Sequence, residues 1–171
     1  SDVYKRQDIA VTELCLMDEP LQYFSEGFFA QRERLLAAKE LDHPRFRYAH
    51  QFAEADAIVI AAPFWDLAFP ALLKVYIENV SVEGITFGCN ASGCFGICRA
   101  ERMLFLTTRG GSYDGAPDEM GARYLEALCG FFGIPRFDCV AADGLDLGLR
   151  PVEEILAEAK AKAAALAATC L

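Results

Sequence analysis

The chain has 171 residues, 54% of them hydrophobic, with 16 basic residues against 25 acidic ones and a net charge of −9. That length is one domain's worth of core, the apolar content excludes a disordered chain, and no apolar run approaches the roughly 20 residues a spanning helix needs. The negative charge repels polyanions and no basic stripe offsets it, so neither a nucleic acid nor a membrane is an expected partner.

Residues 1–7, SDVYKRQ, read as an assembly scar ahead of a natural sequence beginning near Asp8, and 8–171 as a single domain. Asp8 to Leu14 alternates apolar and polar residues, as in a half-exposed strand at a sheet edge. Pro20 to Lys39 has helical composition with a weak stripe broken near Gly27. Asp42 and Pro44 open the next helix, with Ala49, Phe52 and Ala53 on its apolar face. Ala57 to Ala62 is an unbroken apolar run ended by Pro63, which predicts a strand buried on both faces of a parallel sheet.

Pro70 then suits a first helical turn, and Leu72, Leu73, Tyr76, Ile77 and Val80 recur at helical spacing. Ile85 to Phe87 and the glycine-containing stretch Gly88 to Gly96 read as an excursion or hairpin. Met103 to Thr107 is the next strand and runs straight into Thr108-Arg109-Gly110-Gly111. Pro117 to Phe132 is helical, with Met120, Tyr124, Leu128 and Phe131 on one face and Gly133 as its stop. Phe137 to Ala142 gives the last strand. Pro151 opens a final helix with Val152, Ile155, Leu156, Ala159, Ala163 and Leu166 as its stripe, and Glu153-Glu154 favours the positive end of its dipole.

This alternation predicts an α/β fold, a doubly wound parallel sheet with helices on both faces. With Asp8 to Leu14 as the edge strand of a 2-1-3-4-5 order, the first strand and its phosphate-binding loop are expected ahead of this sequence.

In open α/β sheets ligands bind beyond the carboxyl ends of the strands, which singles out Pro63-Phe64-Trp65-Asp66-Leu67 and Thr108-Arg109-Gly110-Gly111. The aromatic pair offers a flat surface to a flat ligand. Paired glycines let the backbone approach a ligand and aim N–H groups at it, and Arg109 supplies fixed positive charge, a combination that suits an electron-rich ring edge such as a reduced flavin's. Taken alone, Gly110-Gly111 also fits a plain turn, and Trp65 a core aromatic under the next helix.

The seven cysteines are odd in number and follow no regular framework, so thiols in a reducing cytosol are expected. Cys89, Cys94 and Cys98 lack a tight pair and a nearby histidine, so no metal is expected there. Cys15, Cys129 and Cys139 read as ordinary buried thiols, and His43 and His50 as helix-surface or capping residues.

Together, Ala61-Ala62-Pro63-Phe64-Trp65-Asp66-Leu67, Pro70-Ala71-Leu72-Leu73-Lys74, Gly84-Ile85-Thr86-Phe87 and Thr108-Arg109-Gly110-Gly111 carry a resemblance to a known family. At their joint spacing the chain resembles the flavodoxin-like NAD(P)H:quinone oxidoreductases and FMN-dependent NADH-azoreductases. The resemblance implies a flavodoxin-like, N-terminally truncated FMN-binding domain of a cytoplasmic homodimer. Such a protein takes hydride from NADH or NADPH onto flavin N5 and passes it to a quinone, azo or similar small-molecule acceptor.

On that resemblance Pro63, Phe64, Trp65, Asp66 and Leu67 fall on the flavin-contacting loop, and Thr108, Arg109, Gly110 and Gly111 on the loop at the pyrimidine edge. The flavin, not a catalytic side chain, carries the chemistry. Many members have a tyrosine-asparagine pair where this chain has Trp65-Asp66, and an acid there works against an anionic reduced flavin. The alternatives are a flavodoxin-like electron carrier without small-molecule reductase activity, and an inactive fragment of the reductase.

Overall fold

The computed structural model of the protein describes residues 9–170. The expected scar at 1–7 and Asp8 lie outside them. The elements run α1 (Glu26–Ala37), a short 3-10 turn (Pro44–Phe46), α2 (Arg47–Glu54), β1 (Ile58–Ala61), α3 (Ala71–Val80), β2 (Phe87–Asn90), β3 (Gly93–Gly96), β4 (Met103–Thr108), α4 (Gly121–Phe132), β5 (Phe137–Ala142) and α5 (Val152–Cys170).

Among the described residues β1, β4 and β5 form a parallel sheet in the order β1-β4-β5, and β2 and β3 pair as a separate antiparallel hairpin. Ile58 aligns with Met103, which aligns with Phe137 on its other side, so the three strands begin level and their carboxyl ends share one edge.

Side chains alternate across the pleat. Ile60, Met103 and Phe105 point to the face where Tyr48 and Phe52 of α2, Leu73, Ile77 and Val80 of α3, and Leu125, Cys129 and Phe132 of α4 complete the main core. Leu104, Val140 and Ala142 alternate with those positions and are buried on the opposite face, where α5 packs on β5. A smaller cluster of Leu35, Phe46, Ala49, Val82 and Ile85 ties α1 and the 3-10 turn to the end of α3. There the fully buried Thr86 accepts the Val82 N–H and donates to the Val80 carbonyl at 2.8 Å.

Several expectations need correction. Ile9 to Leu14 is irregular, not a strand; no described strand lies beyond the outer edge of β1, so the segment has no ladder to join, although Leu14 still packs against the core. The β1 strand is buried on one face only, since Val59 is 47% exposed where no described helix covers it. Gly27 falls in the first turn of α1 and does not break it. Helix α4 begins at Gly121, not Pro117, and its buried stripe, Leu125, Cys129 and Phe132, is one residue on from the expected one.

The thiol reading is also corrected, because Cys89 and Cys94 are joined by a disulfide, and Cys15 and Cys139 are exposed. Gly133 does cap α4, in the left-handed conformation at φ 80°, and His43 caps the 3-10 turn by accepting the Arg45 N–H. In the final helix Ile155 is buried and Leu156, Ala159, Ala163 and Leu166 are half-buried, while Val152 is exposed.

The core carries an alkaline sensitivity. Burial pushes the Cys129 thiol up to about 12, with Glu126 adding to it, and the Tyr76 phenol up to about 12, from ordinary values of 9.0 and 10.0. Both groups therefore stay neutral in the fold after the unfolded chain has begun to ionise, so the unfolded state binds fewer protons and stability falls with rising pH. The urea midpoint is expected to be level below pH 9 and to drop between about pH 9 and 12. Tyr76→Phe should remove only the tyrosine's share of that drop, which begins above pH 10, and leave the share of Cys129.

Candidate functional site

The loop after β1 turns back on itself. Trp65 N–H donates to the Ala68 carbonyl at 3.3 Å and Ala68 N–H to the Trp65 carbonyl at 2.8 Å, with Asp66 at φ 49° and Leu67 at φ 66° between them. Two consecutive left-handed residues make a turn of the mirror-image type, for which aspartate and asparagine are suited by their tolerance of that region. The acid at Asp66 thus has a local conformational reason. Leu67 has none, and a bulky side chain in that region marks strain held by its surroundings. The Leu67 carbonyl is fixed by the Met120 N–H at 2.9 Å, just ahead of α4.

This turn leaves Trp65 59%, Leu67 42% and Met120 47% exposed, an apolar surface at the carboxyl edge of the sheet. Trp65 is therefore not a core aromatic. Pro63 and Asp66 are also exposed, and Phe64 is half-buried.

The loop after β4 is joined to it. Phe64 N–H donates to the Thr108 carbonyl at 3.0 Å, and the Phe64 ring lies 4.5 Å from the Tyr113 ring and 5.4 Å from the Arg109 guanidinium carbon. The two stretches singled out in the sequence are thus brought together. A third loop, after β5, completes it: Asp146 N–H donates to the Gly110 carbonyl and Gly144 N–H to the Gly111 carbonyl, each at 2.9 Å. A side chain at Gly110 would meet Asp146 Oδ2 at 2.2 Å, and one at Gly111 would meet the Tyr113 ring at 2.9 Å. With their carbonyls taken, the Gly110 and Gly111 N–H groups make no hydrogen bond among the described residues.

Arg109 is placed differently from its neighbours. Only 4% exposed, its guanidinium sits 3.1 Å from Glu119 Oε1 and 3.6 Å from Asp143 Oδ1, so its charge is spent on two carboxylates inside the protein. Each carboxylate does a second task. Glu119 accepts the Ala122 N–H at the start of α4, where the helix dipole favours an acid, and Asp143 Oδ2 accepts the Tyr113 and Asp114 N–H groups at 2.7 and 3.0 Å. Arg109 thereby fastens the β4 loop to α4 and to the β5 loop. A cavity of about 630 Å³ on its far side reaches Arg123, Cys139 and Lys162, but its cations and acids are mixed and give no preferred sign.

Sequence reasoning missed Tyr113, Glu119 and the loop from Asp143 to Leu147. The last had a signal, since Asp143-Gly144 directly follows a strand. Glu119 and Tyr113 had none that distinguishes them from ordinary surface residues.

Fold and candidate site together describe a doubly wound α/β domain whose β1, β4 and β5 loops gather at the carboxyl edge of its sheet. Residues 2–167 match the family model described as the flavodoxin-like fold, and the chain belongs to that family. It is 49% identical over 121 residues to a protein of Clostridium perfringens named FMN-dependent NADH:quinone oxidoreductase, covering 71% of this chain and 61% of that one. A Clostridium beijerinckii protein of the same name is 35% identical over 175 residues, covering 95% of this chain and 88% of its own. The chain thus spans about three-fifths of the first curated relatives it matches (61%). Among solved structures, an azoreductase from Bacillus anthracis superposes with a TM-score of 0.80 at 28% identity, over 91% of this chain and 80% of that one.

Proposed function

We propose that the chain is the flavin-site part of an FMN-dependent NAD(P)H oxidoreductase that reduces a quinone, azo or similar small acceptor, acting as a cytoplasmic homodimer. The observation that carries this reading is the pair of Gly110 and Gly111 N–H groups that make no hydrogen bond among the described residues, on a loop joined to the one that bears the exposed Trp65 by the Phe64 N–H to Thr108 carbonyl bond. The names of the relatives support it.

FMN, when bound, supplies hydride acceptance from NADH or NADPH and its onward transfer. The chain's residues do the positioning. Gly110 and Gly111 N–H groups fit an electron-rich ring edge, Trp65 and Leu67 exclude water from a flat ring, and Pro63, Phe64 and Thr108 hold the two loops at a fixed separation. Arg109 acts behind the loop by fixing its position. Asp66 places a carboxylate on the rim, which works against extra negative charge on a bound ring.

The test is the absorbance of purified protein after incubation with excess FMN and desalting, followed by NADH oxidation with and without a quinone. Retained flavin and quinone-dependent turnover are expected. Trp65→Ala should weaken FMN about tenfold, the loss of roughly one aromatic stacking contact, without moving the urea midpoint. Flavin retention without quinone turnover would leave an electron carrier, and no retention, even with a chain as long as the relatives, would end the reading.

A further inference from the structure

Phe87 to Gly96 form a hairpin whose base and tip are each secured without a covalent link. At the base the Phe87 ring lies 4.6 Å from that of Phe131, and Gly96 sits directly against the backbone of Phe132 and Gly133. At the tip Asn90 pairs with Gly93, and the Asn90 side-chain oxygen accepts the Ser92 N–H at 2.8 Å. Between base and tip Cys89 and Cys94 stand opposite each other and are joined by a disulfide.

That bond adds little as a staple. The entropy a disulfide removes from the unfolded chain grows with the loop it closes, and this loop is among the shortest, in a strand pair already held by its ladder and turn. Its chemistry is more telling. Both cysteines are exposed, and none of the hairpin's residues carries a charge, although the chain as a whole has a net charge of −9. Nothing in the hairpin repels an approaching thiolate. Cys98 is half-buried, its thiol donating to the Thr86 carbonyl at 3.4 Å, and burial pushes it up to about 11, so it stays protonated and does not attack the pair.

We propose that Cys89 and Cys94 form a thiol–disulfide exchange site for a small thiol of the glutathione class, with the hairpin folded in both states. A thiolate attacks one protein sulfur, forming a mixed disulfide and releasing the other cysteine, which takes a proton. A second thiolate attacks the small-molecule sulfur of the mixed disulfide and releases the first cysteine, which is protonated in turn. The protein disulfide gains two electrons and two protons, and the two thiols leave as one small disulfide. The site does not depend on the flavin reading. With the cytoplasmic location proposed above, it also reconciles an exposed disulfide with a reducing compartment, where such a pair exchanges with the thiol pool.

The experiment equilibrates the folded full chain in glutathione buffers from oxidised to reduced, alkylates free thiols without denaturant, and maps the labels by mass spectrometry. Labels are expected to appear together on Cys89 and Cys94 at reducing ratios typical of a cytosol and to be lost in oxidised buffer, with Cys98 and Cys129 unlabelled throughout. The thermal midpoint should change little between the two states. In Cys94→Ser, Cys89 should be trapped as a single glutathione adduct in oxidised buffer. A pair that opens only on unfolding, a pair that stays as thiols in every buffer, or a large fall in the midpoint on reduction would each overturn the proposal.

Discussion

Gly96→Ala is expected to lower stability by about 3 kcal/mol or more, at the upper end of what a single added methyl does to a packed interior. A Cβ at Gly96 would lie 1.8 Å from the Phe132 carbonyl carbon and 1.9 Å from the Gly133 nitrogen. These are backbone atoms at the end of α4, and no rotamer change moves them aside. The same junction carries the Cys98 N–H to Phe132 carbonyl hydrogen bond at 3.1 Å and the left-handed cap at Gly133, so the methyl must part the hairpin from the helix or unseat the cap. Urea unfolding checks this, with a lower midpoint at unchanged slope. Gly130→Ala is the control: it lies in α4 with nothing within 4 Å of its Cβ, and there the gain in helix propensity, about 1 kcal/mol, should stabilise. Equal stabilities for Gly96→Ala and the parent would mean that the hairpin is not seated on α4 in solution.

The sheet strands and the central helix were legible because their signals are local. A run of β-branched residues ended by Pro63, and Pro70 followed by an apolar stripe, each need only a few neighbours to be read. The misreadings arose where the deciding partner is distant. Whether Val59 is covered depends on what packs on the far face of the sheet, and whether Ile9 to Leu14 pairs depends on a neighbouring strand. In α4 the expected stripe of Tyr124, Leu128 and Phe131 is real apolar surface: Tyr124 meets Phe69 at 5.7 Å between ring centres and Phe131 meets Phe87. It packs on the flanks while Leu125, Cys129 and Phe132 take the centre. A helix with two apolar stripes does not announce which faces the sheet.

The site divides the same way. Phe64, Trp65, Gly110 and Gly111 could be singled out from residue type and position after a strand. The partners of Arg109 could not, because Glu119 and Asp143 reach it from a helix start and from a third loop, 10 and 34 positions away in the sequence. Reading Arg109 as charge offered to a ligand was reasonable for an arginine beside two glycines. The structure instead sets that charge against the carboxylates of Glu119 and Asp143.

That arrangement is testable through Arg109→Met, which is expected to cost about 3 kcal/mol because it leaves the buried Glu119 and the half-buried Asp143 without their counter-charge. Arg109→Lys should recover only part, since a single ammonium cannot span carboxylates that the guanidinium reaches through different nitrogens. The decisive variant is the triple Arg109→Met, Glu119→Gln, Asp143→Asn. With all three charges gone, most of the lost stability should return, because replacing a whole buried ion cluster by neutral groups is close to neutral. FMN affinity should not return with it. The apolar methionine removes the loop's tie to Glu119 ahead of α4 and its contact with Asp143, so the Gly110 and Gly111 N–H groups are placed by the backbone bonds to the β5 loop alone. Urea midpoints and FMN titrations on the same variants separate the two roles. Stability and affinity recovering together would show that Arg109 serves the fold alone, and stability recovering without affinity would show that the buried cluster exists to hold the loop.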